Sequence, residues 1–290
     1  MLCQGPSPLA LRWIVMPTRK VVLTTGATSG IGLETAIELA KRGFDSVGTY
    51  RSEHKLEALQ EAAHGAGVSV HAVRLDVTDA EACAEVVDEV VDGHGSLYGL
   101  VNNAGFGLRG AVEDTSEDEA RKILETMVLA PARLCRLALP HLRAAGGGRI
   151  VNISSIYGRT TTPLSGWYQA AKHALEGLSD ALRAEVGGDG VHVILVEPGG
   201  FRTEIWEEQV IASPSERYRT AYERVHKAIQ LAAPLLGDPA ACARVIAGAL
   251  QAKIPRARYL VGPDAYLAAA VLPLTPPAVK DRIARAVLGL

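Results

Sequence analysis

The chain has 290 residues, of which 48% are hydrophobic and 21% charged, a composition that provides for a buried core and excludes an intrinsically disordered protein. Its formal net charge is -2 and no block of lysines and arginines interrupts that balance, which argues against a nucleic-acid-binding protein. The length fits one large α/β domain, or at most two small ones.

The N-terminal residues precede the first predicted element and show little structural pattern. An apolar patch at residues 9–16 is interrupted by Arg12. A signal peptide is poorly supported, because no small-residue cleavage site follows this patch. Met16 is an alternative start of translation, which would make residues 1–15 an upstream extension. We therefore expect residues 1–17 to form a disordered N-terminal extension.

Strands and helices alternate from residue 20 to residue 196. Short apolar or β-branched runs predict strands over residues 20–25, 45–50, 68–75, 97–102, 149–154 and 191–196. Apolar residues at helical spacing predict helices over residues 31–42, 53–64, 79–91 and 167–186, and a long helical stretch over 116–145. This alternation implies βαβ units, a parallel sheet and right-handed crossovers. We therefore predict an α/β fold with a doubly wound parallel sheet of the Rossmann type.

The alternation weakens after residue 198. Residues 200–237 are polar and partly helical, a helix is predicted over 239–253, and a last strand over 258–261. The tail, residues 265–290, is rich in Ala, Leu and Pro and is predicted to be helical. Because no linker separates these segments, we predict a single domain over residues 18–264, in which residues 200–237 form a substrate lid, followed by the tail.

Cysteine usage and hydropathy bear on the compartment. The four cysteines are scattered, with no CxxC pair and no histidine at a metal-ligand spacing: Cys3, Cys83, Cys135 and Cys242. We expect free thiols in a reducing compartment, a cytoplasmic location and no bound metal. No apolar run reaches the ~18–20 residues that a membrane span requires, so we expect no stable insertion into a membrane.

A glycine-rich turn, TGATSGIG at residues 25–32, lies between the first predicted strand and the first predicted helix. Gly26, Gly30 and Gly32 permit a tight turn and a close backbone approach, and the start of the following helix offers free N–H groups to a pyrophosphate. An ordinary βα loop can also be glycine-rich. The position of this turn at the start of a βα series favours a dinucleotide-binding site.

The end of the second predicted strand indicates which dinucleotide is preferred. The strand ends in Tyr50-Arg51-Ser52, with no carboxylate before Glu53. An acidic residue at this place selects NAD, whereas an arginine accommodates the 2′-phosphate of NADP by pairing with the phosphate. Arg51 could also be an ordinary exposed residue at a helix start, but we predict that the site prefers NADP(H) over NAD(H).

Tyr168 and Lys172 are four residues apart in a predicted helix, so their side chains share one face. A lysine ammonium near a phenol favours the phenolate and lowers the phenol pKa from its usual value of about 10. A tyrosine tuned in this way can donate a proton to a carbonyl oxygen or accept one from an alcohol. Because exposed helices often carry Tyr and Lys at this spacing, the pair alone would not decide the function.

Five motifs occur together and in order: TGATSGIG at 25–32, NNAG at 102–105, Ser155, Tyr168-x-x-x-Lys172, and EPG at 197–199. Over residues 19–205 this combination resembles the short-chain dehydrogenase/reductase family, classical type. The resemblance implies an NAD(P)-dependent oxidoreductase that acts on CH–OH or C=O groups of a small molecule. It also implies assembly as a homodimer or homotetramer.

The resemblance assigns roles position by position. Tyr168 matches the general acid/base, Ser155 the serine that hydrogen-bonds the reacting oxygen, and Lys172 the residue that tunes Tyr168 and holds the nicotinamide ribose. The implied cofactor-binding residues lie in the turns that follow the strands and include the catalytic pair: Gly26, Thr28, Ser29, Gly30, Ile31, Gly32, Arg51, Asp76, Val77, Asn103, Ala104, Gly105, Tyr168, Lys172, Pro198, Gly199 and Thr203. Among these, Asp76 and Val77 match the pair that contacts the adenine.

Met127 departs from the family pattern. Many members have an asparagine at this place in the long central helix, whose backbone carbonyl anchors a water in a proton relay to the lysine. Pro131, four residues on, has no N–H and would leave the Met127 carbonyl without its helical partner. We expect an altered relay rather than an inactive enzyme. Met127 could equally be a core residue or contact the substrate.

The lid and the tail both carry apolar side chains. Phe201, Trp206 and Met127 are the candidate substrate contacts, with further apolar residues in the lid at Ile205, Val210 and Ile211. Apolar residues of the tail could wall the pocket, bury a dimer interface or be core: Tyr266, Leu267, Val271, Leu272 and Leu274. A membrane-surface contact has little support, because the tail has only three basic residues. We expect a fairly hydrophobic ketone or secondary alcohol as substrate.

Three hypotheses about function follow. The first is an NADPH-dependent carbonyl reductase or alcohol dehydrogenase, in which hydride transfer is coupled to proton transfer at Tyr168. The second is a non-redox reaction on the same fold, such as a dehydration, cyclisation or epimerisation, for which Met127 is the only support in the sequence. The third is an NADP(H)-binding protein without turnover, which the presence of Ser155, Tyr168 and Lys172 disfavours.

Overall fold

A seven-stranded parallel sheet lies at the centre of the computed structural model, which describes residues 19–206 and 210–290. The strands are β1 (Val21–Thr24), β2 (Asp45–Tyr50), β3 (His71–Arg74), β4 (Gly99–Asn102), β5 (Leu108–Arg109), β6 (Gly148–Ile153), β7 (Val191–Pro198), β8 (Val210–Ile211) and β9 (Arg258–Val261). The central sheet has the order β3-β2-β1-β4-β6-β7-β9, and all of its neighbouring strands are parallel. Strands β5 and β8 pair separately.

Helices cover both faces of this sheet. They are α1 (Gly30–Lys41), α2 (Glu53–Gly65), α3 (Ala80–His94), α4 (Glu117–Leu124), α5 (Ala130–Ala144), α6 (Gly166–Val186), α7 (Arg219–Ala232), α8 (Pro239–Gln251), α9 (Pro263–Val271) and α10 (Pro277–Leu288). Residues of α3 and α5 form one core layer with the sheet, and residues of α1 and α8 form the other. Because helices cover both faces of the sheet, every residue of β1, β4 and β6 is buried, and most of these residues are apolar or glycine. The predicted doubly wound α/β fold is confirmed.

The long helical stretch predicted over residues 116–145 is interrupted rather than uniform. A capping box of Ser116 and Glu119 starts α4, and a π-helical segment, Glu125–Leu129, separates α4 from α5. The N–H of Ala130 bonds to the carbonyl of Glu125, five residues back. Pro131 follows at once and cannot donate to the ladder, so the helix widens where a normal hydrogen bond would be lost.

Two features escaped the sequence prediction. The strand predicted over residues 68–75 is shorter, because β3 is an edge strand that pairs with β2 only over His71–Arg74. The β5–β8 ladder is two residues long on each side, too short to show any periodicity. This ladder joins the segment after the NNAG turn to the lid. The predicted extension at residues 1–17 lies outside the described residues.

A buried ion network ties β7 to β9 and α6. Glu197 in β7 has no exposed surface, and its carboxylate meets Arg159 at 2.6 Å and Arg258 at 3.2 Å. Arg258 also reaches Asp180 at 2.6 Å and Glu176 at 3.1 Å. A buried carboxylate is stable only when it is paired, so the network holds the carboxyl ends of these strands in position.

Replacing Arg258 with alanine should lower the free energy of unfolding by about 3 kcal/mol, because Glu197 and Glu176 would lose a buried counter-charge. Urea denaturation followed by circular dichroism measures the change. Arg121→Ala is the control: its ion pair with Glu117 is exposed and should contribute less than about 1 kcal/mol. Equal effects of the two substitutions would contradict a special role for the buried network.

Candidate active site

Strands β1 and β4 are neighbours in the sheet but far apart in sequence, and the turns at their carboxyl ends meet. The Thr25 hydroxyl accepts hydrogen bonds from the backbone N–H groups of Asn103 and Ala104, each at 3.0 Å. The Asn103 side chain donates to the carbonyls of Thr25 and Gly26, also at 3.0 Å. The point where strand order reverses in an open α/β sheet is where ligands bind, so these bonds shape the floor of a ligand crevice.

The glycine-rich turn fits a pyrophosphate. Gly26 and Gly30 have φ values of +64° and +51°, which favour glycine, and a Cβ on Gly32 would lie 2.1 Å from the Gly26 carbonyl oxygen. Helix α1 starts at Gly30; its N-cap, Ser29, makes no side-chain cap bond and its first turn has no acidic residue. The N–H groups and positive end of this helix are therefore available to an anion.

The lid begins beside this turn. A Cβ on Gly30 would lie 2.9 Å from the Thr203 side chain, so Thr203 packs directly against the glycine-rich turn. Pro198 ends β7, and the Gly199 N–H donates to the Val261 carbonyl at 2.9 Å. Asp264 accepts a 2.6 Å hydrogen bond from the Gly200 N–H. Asp264 and Thr25 therefore support the predicted cofactor loops, and neither was a predicted site residue.

The predicted adenosine side lies at the ends of β2 and β3. Arg51 and Asp76 are both exposed and interact electrostatically. Partial burial acts to raise the pKa of Asp76, but hydrogen bonds from Thr78 and the charges of Arg51 and Lys122 hold it below its usual value. The Val77 side chain is buried and its carbonyl accepts from Arg133 at 3.0 Å, which leaves the Val77 N–H as the group that could reach an adenine.

Three side chains meet at the carboxyl end of β6. Ser155 lies two residues beyond that strand, and Tyr168 and Lys172 occupy the first two turns of α6. Lys172 is 6% exposed, and its Nζ donates to the Ile153 carbonyl at 2.8 Å and lies 5.7 Å from the centre of the Tyr168 ring. The Ser155 hydroxyl lies near enough to the Tyr168 hydroxyl to act on its pKa. The structure thus brings together the three residues that the sequence analysis selected as catalytic.

The electrostatics of this group differ from the sequence expectation. Burial raises the pKa of Tyr168 to about 12, the hydrogen bond from Ser155 acts to lower it, and the nearby Tyr157 adds to the rise. Burial also lowers the pKa of Lys172 to about 8, although Glu176 acts to raise it. The lowering of the tyrosine pKa that the Tyr–Lys spacing predicted is therefore not found, and burial is the largest influence on it. A phenol that keeps its proton at neutral pH is suited to donating it to a carbonyl oxygen.

These pKa values predict the pH dependence of carbonyl reduction. We expect kcat/KM to be flat near neutral pH and to fall above about pH 8, because Lys172 loses its charge there while Tyr168 stays protonated. Initial rates measured across this pH range provide the test. In Glu176→Gln the falling limb should move to lower pH, because Glu176 is the charge that raises the lysine pKa. An unchanged profile in that variant would contradict the assignment to Lys172.

Two of the three candidate substrate contacts are buried side chains. Met127 is 1% exposed and packs against Gly105, so its side chain belongs to the core. Phe201 is 4% exposed and fills the space between Gly237 and Gly262. Sequence alone could not distinguish these apolar core residues from a pocket lining. The Trp206 side chain lies outside the described residues.

The tail does not bury most of its apolar residues. Those that the sequence analysis singled out are largely exposed: Tyr266, Leu267, Val271 and Leu274. Helix α9 nevertheless packs against the short helix Ile156–Gly158 that begins at Ser155, so the tail lies next to the catalytic group. Within the described residues, no helix is both long and apolar enough to cross a membrane.

Possible metal ligands converge at the opposite edge of the sheet. Asp45, His71 and His94 offer ligand atoms within 4.8 Å of one another, with His94 Nδ1 2.5 Å and His71 Nε2 3.3 Å from the Asp45 carboxylate. They come from β2, β3 and the end of α3, so their sequence spacing gave no sign of the cluster. Asp45 starts its strand, whereas Ser155 follows the end of β6, so this cluster lies at the other edge of the sheet from the group of Ser155, Tyr168 and Lys172.

Comparisons with known proteins identify the family of the chain. The family model for "short chain dehydrogenase" matches residues 20–213. The chain is 35% identical over 252 residues to the "Uncharacterized oxidoreductase YusZ" of Bacillus subtilis, covering 84% of this chain and 89% of that protein. It is 32% identical over 247 residues to the "3-ketodihydrosphingosine reductase" of Bacteroides thetaiotaomicron, covering 84% and 88%.

A third relative and one solved structure are similar to the chain over most of its length. The "NADPH-dependent 3-dehydrocapnine reductase" of Ornithobacterium rhinotracheale is 31% identical over 275 residues, covering 91% of this chain and 95% of that protein. The crystal structure of a short-chain dehydrogenase from Streptomyces avermitilis superposes with a TM-score of 0.78 at 37% identity, covering 88% of this chain and 92% of that one. The match thus extends through most of the chain in sequence and in structure.

Proposed function

The chain belongs to the short-chain dehydrogenase/reductase family and is an NAD(P)-dependent oxidoreductase of CH–OH and C=O groups, and we propose that it works as an NADPH-dependent carbonyl reductase. The observation that carries the proposal is the meeting of Ser155, Tyr168 and Lys172 at the same edge of the sheet as the glycine-rich turn. We assign the reaction to residues 18–264, with residues 200–237 as the lid. The described cysteines are buried and unpaired, which supports a reducing compartment such as the cytoplasm.

Each of the three residues has a distinct task in reduction. NADPH, when bound, supplies the hydride to the carbonyl carbon. Ser155 hydrogen-bonds the carbonyl oxygen and holds it against the Tyr168 hydroxyl, which donates the proton that completes the alcohol. Lys172 places its positive charge near the phenol of Tyr168. Its ammonium group would also donate a hydrogen bond to the nicotinamide ribose of the cofactor. In the reverse direction the same tyrosine accepts the proton from the alcohol.

The Met127 position does not interrupt this scheme. Its side chain is core, and the π-helical segment Glu125–Leu129 places it where the backbone is wider than in an α-helix. Pro131 supplies no N–H to the carbonyls of that segment. We propose that a backbone carbonyl here supports the proton supply to Lys172 without an asparagine side chain.

The cofactor preference rests on charge. Arg51 is exposed at the end of β2, in the position where a 2′-phosphate of NADP would lie, and the residues before Glu53 offer no carboxylate to a ribose hydroxyl. Lys122 adds a second positive charge near Asp76. A relative whose name specifies NADPH supports the same preference.

Arg51→Ala should lower kcat/KM for NADPH by about tenfold to a hundredfold and leave kcat/KM for NADH nearly unchanged, because only NADPH carries the phosphate that Arg51 would bind. Initial rates with each cofactor and one ketone give the ratio. Arg121→Ala, an exposed arginine on α4, is the matched control and should leave the ratio unchanged. An equal loss with both cofactors would contradict phosphate recognition by Arg51.

The substrate is proposed to be fairly hydrophobic. The relative named for a keto group on dihydrosphingosine supports this class. A panel of ketones with increasing alkyl length, followed by the loss of NADPH absorbance, provides the test. We expect kcat/KM to rise with chain length. Absence of NADPH oxidation across the panel would contradict the proposed reductase.

A further inference from the structure

Arg109 is a buried cation without a partner among the described residues. It lies in β5, is 6% exposed, and its guanidinium makes neither a hydrogen bond nor an ion pair there. Arg149, the other arginine of the described chain that is at least nine-tenths buried, donates to the carbonyls of Gly148 and Ala252. Buried charges are normally paired, so the bare guanidinium of Arg109 requires an explanation.

The location of Arg109 connects the lid to the catalytic tyrosine. Its strand pairs with β8 in the lid, and the next residue, Gly110, bonds to the Leu164 carbonyl at 2.9 Å just before α6. Arg109 interacts electrostatically with Tyr157 and Tyr222. The Tyr157 ring meets the Tyr168 ring edge-on, with the ring centres 6.2 Å apart. One aromatic side chain therefore separates the buried cation from the proton donor.

Among the described residues, no carboxylate competes for this guanidinium. Its electrostatic neighbours are two phenols, Tyr157 and Tyr222, and the Tyr222 hydroxyl is already held by the Ala111 N–H at 3.0 Å. An arginine keeps its charge even when buried, and its planar fork matches the oxygens of a carboxylate, sulfonate or phosphate. A guanidinium that is buried, charged and unpaired beside a reaction site is suited to binding an anionic ligand.

We propose that Arg109 binds an oxyanion of the substrate, so that the preferred substrate is a ketone with an apolar body and an acidic group near the reacting carbonyl. This inference deepens the reductase proposal and rests on it. The guanidinium would fix the orientation of the substrate under the lid, and the acidic group would supply the counter-charge that Arg109 lacks.

The kinetic test compares a straight-chain 3-oxo carboxylate with its methyl ester. For wild type we expect kcat/KM to be about tenfold to a hundredfold higher for the acid, and Arg109→Met should abolish this preference. Arg51→Ala is the control, because it should weaken NADPH use without changing the ratio of acid to ester. The same ratio in wild type and Arg109→Met would overturn the assignment.

A binding test separates this proposal from the reductase proposal and does not require the variant to fold. Calorimetric titration of wild type with NADPH present compares an alkyl carboxylate, an alkyl sulfonate and the uncharged amide of equal chain length. Both anions should bind at least about tenfold more tightly than the amide. Equal binding of all three would overturn the anion site, whereas failure of every ketone to oxidise NADPH would overturn only the reductase.

A second feature is the outer surface formed by the lid end, residues 215–237, and by the tail, residues 265–290. This surface is apolar and positively charged. Apolar side chains that are more than half exposed occur at and just after the end of α7, and along and between α9 and α10: Leu231, Leu235, Tyr266, Leu267, Leu274, Ile283 and Val287. On α10, Val279, Ile283 and Val287 are four residues apart and form one exposed stripe. Leu288 packs on α7, so the stripe is a second apolar face of α10, and it is exposed among the residues that the structure describes.

The charge of this surface distinguishes between two possible partners, a second copy of the chain and a lipid membrane. Although the tail alone has only three basic residues, the lid end and the tail together, residues 215–237 and 265–290, contain seven lysines and arginines against three aspartates and glutamates, whereas the whole chain has a net charge of -2. Two copies joined through this surface would bring like charges together, whereas an anionic lipid surface complements it. We infer that the lid end and tail bind peripherally to the surface of an anionic membrane, next to the catalytic group.

Vesicle sedimentation tests this inference without reference to activity. The protein should bind vesicles of phosphatidylcholine with phosphatidylglycerol, bind pure phosphatidylcholine vesicles more weakly, and be released by salt. Ile283→Glu should reduce binding, whereas Val112→Glu, an exposed apolar residue on another segment, should not. Absence of binding to the anionic vesicles, or dimers that Ile283→Glu alone dissociates, would overturn it.

Discussion

Tyr168→Phe should lower kcat for carbonyl reduction by ~10²–10⁴-fold while leaving NADPH binding nearly unchanged. The substitution removes only the hydroxyl that would donate the proton, and the ring can keep its contact with Tyr157. Steady-state rates and NADPH fluorescence titration measure the two effects separately. A reduced affinity for NADPH together with normal kcat would show that the hydroxyl serves the cofactor instead.

Tyr157→Phe is the matched control for this experiment. Tyr157 contacts the same ring and contributes to the raised pKa of Tyr168, but its own hydroxyl has no task in the proposed chemistry. The control should keep most of the activity. Comparable losses in the two variants would contradict the assignment of Tyr168 as the proton donor.

Gly32→Ala should reduce the affinity for NADPH by roughly 100-fold or more, since small displacements of a binding group have effects of this size. The new Cβ would lie 2.1 Å from the Gly26 carbonyl oxygen and 2.4 Å from the Asn103 side-chain nitrogen. Either the glycine-rich turn or the NNAG turn must move, and both form the floor of the crevice. Fluorescence titration with NADPH gives the affinity.

Gly65→Ala provides the control for a methyl group added elsewhere. Gly65 ends α2, has no neighbouring heavy atom within 4 Å of an added Cβ, and does not have a positive φ. This variant should bind NADPH as wild type does and be at least as stable, because alanine is the better helix former. Normal cofactor affinity in Gly32→Ala would contradict the proposed position of the pyrophosphate.

The layout of the sheet and the catalytic group could be predicted because their signals are local or combinatorial. The alternation of apolar strands with helices fixed the parallel fold, and the Tyr168-x-x-x-Lys172 spacing became informative only together with the glycine-rich turn and Ser155. These features depend on residues that are close in sequence or occur in a fixed order. The family match confirms the fold and the oxidoreductase class.

Other properties depend on burial, which the sequence did not show. Phe201 and Met127 are apolar residues near predicted site segments, and only the structure shows that they pack in the core. The raised pKa of Tyr168 follows mainly from desolvation, whereas the neighbouring lysine had suggested a lowered value. Arg109 drew no attention in the sequence, because a single arginine acquires meaning only when it is buried without a counter-charge.

Deuterium transfer from NADPH tests the central proposal most directly. NADPH carrying deuterium at C4, on the face from which the hydride leaves, is incubated with the enzyme and a hydrophobic keto acid, and the products are analysed by mass spectrometry. A carbonyl reductase must form one NADP⁺ for each alcohol and place one deuterium on the carbinol carbon. Product formed without oxidation of NADPH, or an alcohol without deuterium, would contradict hydride transfer and favour a non-redox reaction.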